Sequence, residues 1–123
     1  MKLIGLKLPS NLRAEVLYNS LYDELRLPLL TADVLLISLP NGVYIDVGWY
    51  PERDQNGAYL IRAYREDWDN QLLPQPYRSR DAGEIATEVR RLAVKYGTSV
   101  TVNLTTFPSI RITSSARTRE LVT

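Results

Sequence analysis

The sequence predicts an α+β domain: a single antiparallel sheet of four to five strands with two helices packed on one face. The element order is α-β-β-β-α-β, and a further strand at either end is left open. Three observations predict it. Apolar and polar residues alternate with period two through 35–39, 43–50 and 58–65. Turn chemistry, Pro40-Asn41-Gly42 and Asn56-Gly57, separates those runs. Apolar residues at helical spacing flank the block on both sides.

Met1–Leu8 is apolar apart from Lys2, Gly5 and Lys7 and reads as a short strand weakened by the glycine. Ser10 or Asn11 then caps a helix over about Leu12–Arg26. Leu17, Leu21 and Leu25 form its apolar stripe, widened by Ala14 and Tyr18, and Pro28 stops it.

The register of the meander that follows can be derived. Proline pre-sets the first position of a type I turn, asparagine suits the second, and glycine takes the left-handed third. This three-residue loop places Leu39 opposite Val43, Ile37 opposite Ile45 and Leu35 opposite Val47. A two-residue Asn-Gly loop would set Ile37 against Asp46, and such a slip reverses every side chain. Pairing Asp46 with Arg62 then sets Tyr44 against Tyr64, Val47 against Ile61 and Trp49 against Tyr59. One face, carrying Leu35, Ile37, Leu39, Val43, Ile45, Val47, Trp49, Tyr59, Ile61 and Ala63, is a core face. The other carries Leu36, Ser38, Tyr44, Asp46, Tyr50, Leu60, Arg62 and Tyr64.

Asp67–Arg80 contains Pro74 and Pro76 and reads as a long surface excursion. A second helix begins where Asp81 and Glu84 stand at capping-box spacing. Ile85, Val89, Leu92 and Tyr96 recur on one side of it, with Ala82, Ala86 and Ala93 flanking them. Gly97 is expected to end it as a left-handed cap, and Arg90, Arg91 and Lys95 complement its dipole. Val100, Val102 and Leu104 alternate with Thr101 and Asn103 as a fourth strand. Ile110 and Ile112 suggest a fifth after Phe107-Pro108. Residues 1–115 make one domain, and 116–123 a polar tail.

Composition removes several classes of function. The net charge of +1 supplies no general attraction to nucleic acid or membrane. The chain has no cysteine and no histidine, so thiolate chemistry is out, along with the commonest general base and transition-metal ligand. No apolar run approaches a membrane span, and the N-terminal apolar stretch is too short for a signal peptide, so a cytoplasmic protein is expected.

Four groupings are candidates for function. Tyr44, Asp46, Tyr50, Arg62 and Tyr64 gather on one sheet face, and aromatic residues and arginine are enriched at binding hot spots. Trp68 and Tyr77 join them as partner-binding candidates, with the terminal segments or the 67–80 excursion as competing cover for that face. Arg78, Arg80, Arg90 and Arg91, with Lys95, Arg117 and Arg119, form the nucleic-acid alternative. Asp67, Asp69 and Asn70 offer oxygen ligands, but the spacing lacks the glycine and distal glutamate of a calcium loop. A solvated turn with Trp68 anchored in the core is expected there instead, and no metal or other cofactor is called for. Paired acids drawn from Asp46, Glu52, Asp54, Asp67 and Asp69 are the weakest grouping. Only Asp46 lies on a strand, and Arg62 beside it should hold it ionised. Ser38 and Ser79 have no visible base.

The α-β-β-β-α order over Leu12–Tyr96 resembles the topology of double-stranded-RNA-binding domains. Those domains carry a lysine cluster at the start of the second helix and a histidine-bearing loop. Here that helix opens Arg80-Asp81-Ala82-Gly83-Glu84 and histidine is absent, so the resemblance does not extend to RNA contact. Small bacterial immunity and antitoxin proteins are similar in size and class, an analogy without a motif. The expectation is therefore a non-enzymatic binding domain that contacts a protein partner or a second copy of itself, as in a homodimer. Nucleic-acid binding comes second and a paired-acid enzyme third.

Overall fold

The computed structural model describes residues 1–98. Five strands form one antiparallel sheet whose spatial order is the chain order: β1 (Glu15–Asn19), β2 (Leu35–Ser38), β3 (Val43–Tyr50), β4 (Ala58–Arg65) and β5 (Tyr77–Ser79). One helix, α1 (Ala82–Thr98), packs on β3, β4 and β5. The α+β class and the antiparallel sheet are as expected. Among the described residues there is one helix, not two.

The derived register is the observed one. Leu35, Ile37 and Val47 pair as Leu35↔Val47 and Ile37↔Ile45, and β4 follows with Tyr44↔Tyr64, Asp46↔Arg62 and Trp49↔Tyr59. Gly42 takes a φ of 80°, and Leu39 N–H donates to the Val43 carbonyl at 2.8 Å beneath it. Because side chains alternate across a strand, this closure sends all ten expected core residues to one side, and all ten are buried. Ile85, Val89, Leu92 and Ala93 of α1 close over them, and Trp49 meets Tyr59 edge-on with ring centres 4.9 Å apart. Each fully buried aliphatic side chain contributes about 1.5–3 kcal/mol.

Residues 12–26 are not a helix. β2 carries two fully buried residues, and its outer backbone groups need partners. The Glu-Val-Leu-Tyr-Asn run satisfies them as β1, pairing Val16↔Ile37 and Tyr18↔Leu36 with a register shift at Leu17. The leucines that mimic a helical stripe go separate ways: Leu21 is fully buried, whereas Leu17 and Leu25 are 45% and 43% exposed. Pro28 opens a short 3-10 turn at Leu27–Leu29 instead of stopping a helix. Met1–Leu8 forms no strand but makes one bridge, Leu3↔Tyr22, and brings Leu6, with Ile4 and Leu8, to the core. With the first helix gone, the topology resembling double-stranded-RNA-binding domains is gone too.

The 67–80 excursion is strapped to the outer side of β4. Arg65 N–H donates to the Asn70 carbonyl at 3.0 Å, Leu72 N–H to Ala63 at 2.7 Å, and β5 pairs with Tyr59–Ile61. At the start of α1, the Asp81 carboxylate accepts from Glu84 N–H at 3.1 Å. The reciprocal half of the capping box passes through Ser79, whose hydroxyl accepts from Asp81 N–H and donates to the Glu84 carboxylate. Gly97 is not a left-handed cap. The helix runs on to Thr98, and Leu12 fills the space where a Gly97 Cβ would stand. The strands expected at 100–104 and 110–112 and the tail at 116–123 lie outside the described residues. No helix among those described is long and apolar enough to cross a membrane.

Neighbouring residues on β3 test the two faces. Ile45→Ala removes a side chain with no exposure and should cost about 2–5 kcal/mol. Tyr44→Ala should cost about 0.5–1.5 kcal/mol, the scale of a cross-strand aromatic pair. Urea titration of both variants measures the asymmetry.

Candidate functional site on the open sheet face

The closure that buries Ile37, Ile45 and Ile61 turns their neighbours to the opposite side. Leu36, Ser38, Tyr44, Asp46, Tyr50, Leu60, Arg62 and Tyr64 are all half-buried. Their mutual packing, not a covering layer, accounts for that burial among the described residues.

The rings form a continuous ladder. Tyr44 and Tyr64, paired in register, stack with centres 5.3 Å apart and planes at 22°. Trp68 meets Tyr64 edge-on at 5.3 Å. The Arg62 guanidinium lies 5.4 Å from the Trp68 ring centre and 5.3 Å from that of Tyr50, within cation–π reach of both. Tyr50 in turn lies over Gly48, where an added Cβ would come within 2.8 Å of its ring and 2.5 Å of the Ala32 carbonyl oxygen. A side chain at residue 48 would therefore push Tyr50 away from Arg62.

Trp68 is not anchored in the core; it is 46% exposed on this face. Glu66, left-handed at a φ of 68°, donates its N–H to the Gly42 carbonyl and reverses the chain. Asp67 accepts from Asp69 N–H, and the Gln71 amide donates to the Trp68 carbonyl at 2.6 Å. The turn thus lays the indole back across β4.

Electrostatics set Asp46 apart. Arg62 is its register partner, yet no ion pair joins them among the described residues. The guanidinium is drawn to the two rings instead. Burial, reinforced by the nearby Asp33 carboxylate, pushes the Asp46 carboxyl up to about 6, and Arg62 only partly opposes the rise. Arg62 therefore does not keep the Asp46 carboxyl from rising, contrary to expectation, because desolvation outweighs an attraction that acts without direct contact. Tyr18 borders the same site. Its hydroxyl donates to Asp33 at 3.4 Å, and burial together with the two carboxylates pushes it up to about 12.

No protein-family profile, curated protein or solved structure matches this chain. The face must be interpreted on its own chemistry.

Tyr44, Asp46, Tyr50, Arg62, Tyr64 and Trp68 come together as one surface. Tyr77 does not join them: it pairs with Ile61, a core-face residue, at the β5 edge. The arginine cluster is divided. Arg78 pairs with Leu60 and so belongs to the open face. Arg80 ties down the loop after β3 through the Gly57 and Gln55 carbonyls and lies over Trp49. Arg91 is bound to Glu88 on α1, the helix that also carries Arg90. The candidate acids are scattered as well. Glu52 accepts from Ala32 N–H, and Asp54 and Asp67 cap their own turns. Among the described residues no group of three potential ligands could hold a metal ion.

Sequence reasoning missed Tyr18 and Asp33. The β-prone Val16-Leu17-Tyr18 run was the available signal, masked by leucines at helical spacing. Asp33 and Asp46 bring two acids near each other with one carboxyl raised, on a sheet face that no described element encloses.

Asp46 is protonated more readily in the folded chain than in the unfolded one. Its unfavourable effect on stability is therefore absent below the ordinary carboxylate range, grows as pH rises from that range to about 6, and is fully present above it. In dilute protein, Asp46→Asn should match the parent at pH 4 and exceed it in stability at pH 7.5, as read from urea midpoints across that range.

Proposed function

We propose that this protein is a non-catalytic binding domain that docks a protein surface, from a partner or from another copy of itself, on the open face of its sheet. The supporting observation is the Tyr44–Tyr64–Trp68–Arg62–Tyr50 ladder, half-exposed and backed by a fully packed core. Tyrosine and tryptophan supply large contact area with little loss of conformational entropy, and with arginine they dominate binding hot spots. The core face fixes the backbone beneath them, so the ladder is organised before a partner arrives. Nucleic-acid binding is the weaker alternative. Arg80, Arg90 and Arg91 do not gather with Arg78, and Asp33 and Asp46 would repel phosphates from the β2–β3 side of the face.

The double variant Tyr44→Ala plus Tyr64→Ala tests this. Assembly measured by light scattering, or partner capture from native lysate, should fall at least about tenfold while urea unfolding remains cooperative. Unchanged assembly and capture, or loss of cooperative unfolding, would overturn the proposal.

A further inference from the structure

The open face is electrically lopsided. Asp46 on β3 and Asp33, on the loop before β2, lie towards one side; Arg62 on β4 and Arg78 on β5 lie towards the other. Neither Asp46 nor Arg62 has an ion-pair partner among the described residues, although they are register neighbours. The Asp46 carboxylate is thus half out of water without a donor, and Arg62 is held by ring faces that leave its N–H groups free of hydrogen bonds in the described fold. Groups in that condition gain most from a partner of opposite charge.

A surface with acids on one side and arginines on the other is its own complement under a suitable two-fold rotation. If the axis runs parallel to the strands between β3 and β4, each residue keeps its height along the strands and exchanges sides. Asp46 then faces Arg62 of the other copy, Arg62 faces Asp46, and the stacked tyrosines 44 and 64 meet their counterparts at the same level. Asp33 comes towards Arg78. An axis perpendicular to the strands would instead put acid on acid.

Building on the binding face proposed above, we propose that its occupant is a second copy of this chain, stacked sheet on sheet about that strand-parallel axis. Aligned sheets of this kind pack about 10 Å apart. About this axis β3 lies over β4 and β2 over β5, while β1 overhangs; the four overlapping strands span roughly 15 Å and the open-face row of β3 roughly 20 Å, giving a footprint on the order of 300 Å². That is below the ~800 Å² per partner typical of stable complexes, so the dimer forms reversibly with rising concentration and is not obligate.

Sedimentation equilibrium on the full chain, from micromolar to millimolar, should show a monomer–dimer transition. Asp46→Arg alone and Arg62→Asp alone each bring like charges together and should weaken self-association at least about tenfold. Mixed in equal amounts, the two variants should regain a dimer, because each then meets an opposite charge at both contacts. Asp33→Arg with Arg78→Asp repeats the test at more exposed positions, should the central pair fail to unfold cooperatively. A strictly monomeric parent, or mixtures that associate no better than the single variants, would overturn the inference. Acrylamide quenching distinguishes that failure from failure of the binding face itself. Of the two tryptophans, Trp49 is fully buried and Trp68 exposed, so quenching reports on the ladder. Trp68 open when dilute and shielded when concentrated supports the dimer. Trp68 open at every concentration removes the second copy but leaves the face available to another protein. Trp68 shielded even in dilute monomer removes both.

Discussion

The bond from Leu39 N–H to the Val43 carbonyl, closed beneath a left-handed Gly42, decides which residues of β2 and β3 share a face, and β4 pairs onto β3 in the same sense. One residue more or fewer in that turn would send Tyr44 and Asp46 into the core and Ile45 into water. The hydrophobic effect does not permit this, because the alternating aliphatic positions together bury far more apolar area than the other face could. The open face is therefore the obligatory complement of the core. Its rings lie where the pleat places them, and among the described residues α1 packs only on the core side.

On that face, two weak attractions compete for one guanidinium. A direct bridge from Arg62 to Asp46 would pair the charges but turn Arg62 away from Trp68 and Tyr50. Exposed and half-exposed ion pairs contribute little, whereas two aromatic faces together offer a comparable attraction without fixing the carboxylate as well. Arg62 takes the rings, and the consequence falls on Asp46, whose desolvation penalty is only partly compensated. The tyrosines beside it feel the same environment: Tyr18 and Tyr64 are both held in the neutral form by burial and by that carboxylate. The site's electrostatics thus follow from ring packing more than from charge pairing.

The central meander was legible because its signals were local and redundant. Period-two alternation, a turn with one conformational reading and matching run lengths all required the same register, and nothing remote could overrule them. The same holds for α1, whose stripe and Asp81 cap lie within one segment. The first third of the chain was not legible, since its structure is decided elsewhere: β2 needs an outer partner, and Glu15–Asn19 is the segment that reaches it. Leucines four apart carried the helical period without a helical face. Gly97 misled for a similar reason. Its lack of a side chain serves the distant Leu12, not the local backbone. For the site, the Tyr44, Asp46, Arg62 and Tyr64 constellation followed from register alone. The return of Trp68 across β4, the presence of Tyr18 and Asp33, and the charge state of Asp46 required three-dimensional proximity.

The two edges of the sheet bear on how the face is used. On the β4 side the edge is blunted: Asn70–Leu72 cover part of it, β5 is three residues long, and Pro74 and Pro76 precede it. On the other side β1 exposes Val16, Leu17 and Tyr18, which would ordinarily invite another strand. The irregularity at Leu17 works against that, because a bulge twists an edge away and spoils the register an added strand must follow. With one edge capped and the other irregular, lateral growth of the sheet is discouraged at both ends. The broad surface that remains for ordered contact is the face itself, where Tyr18 at the β1 rim extends the aromatic area and presents the polar end of its ring beside Asp33.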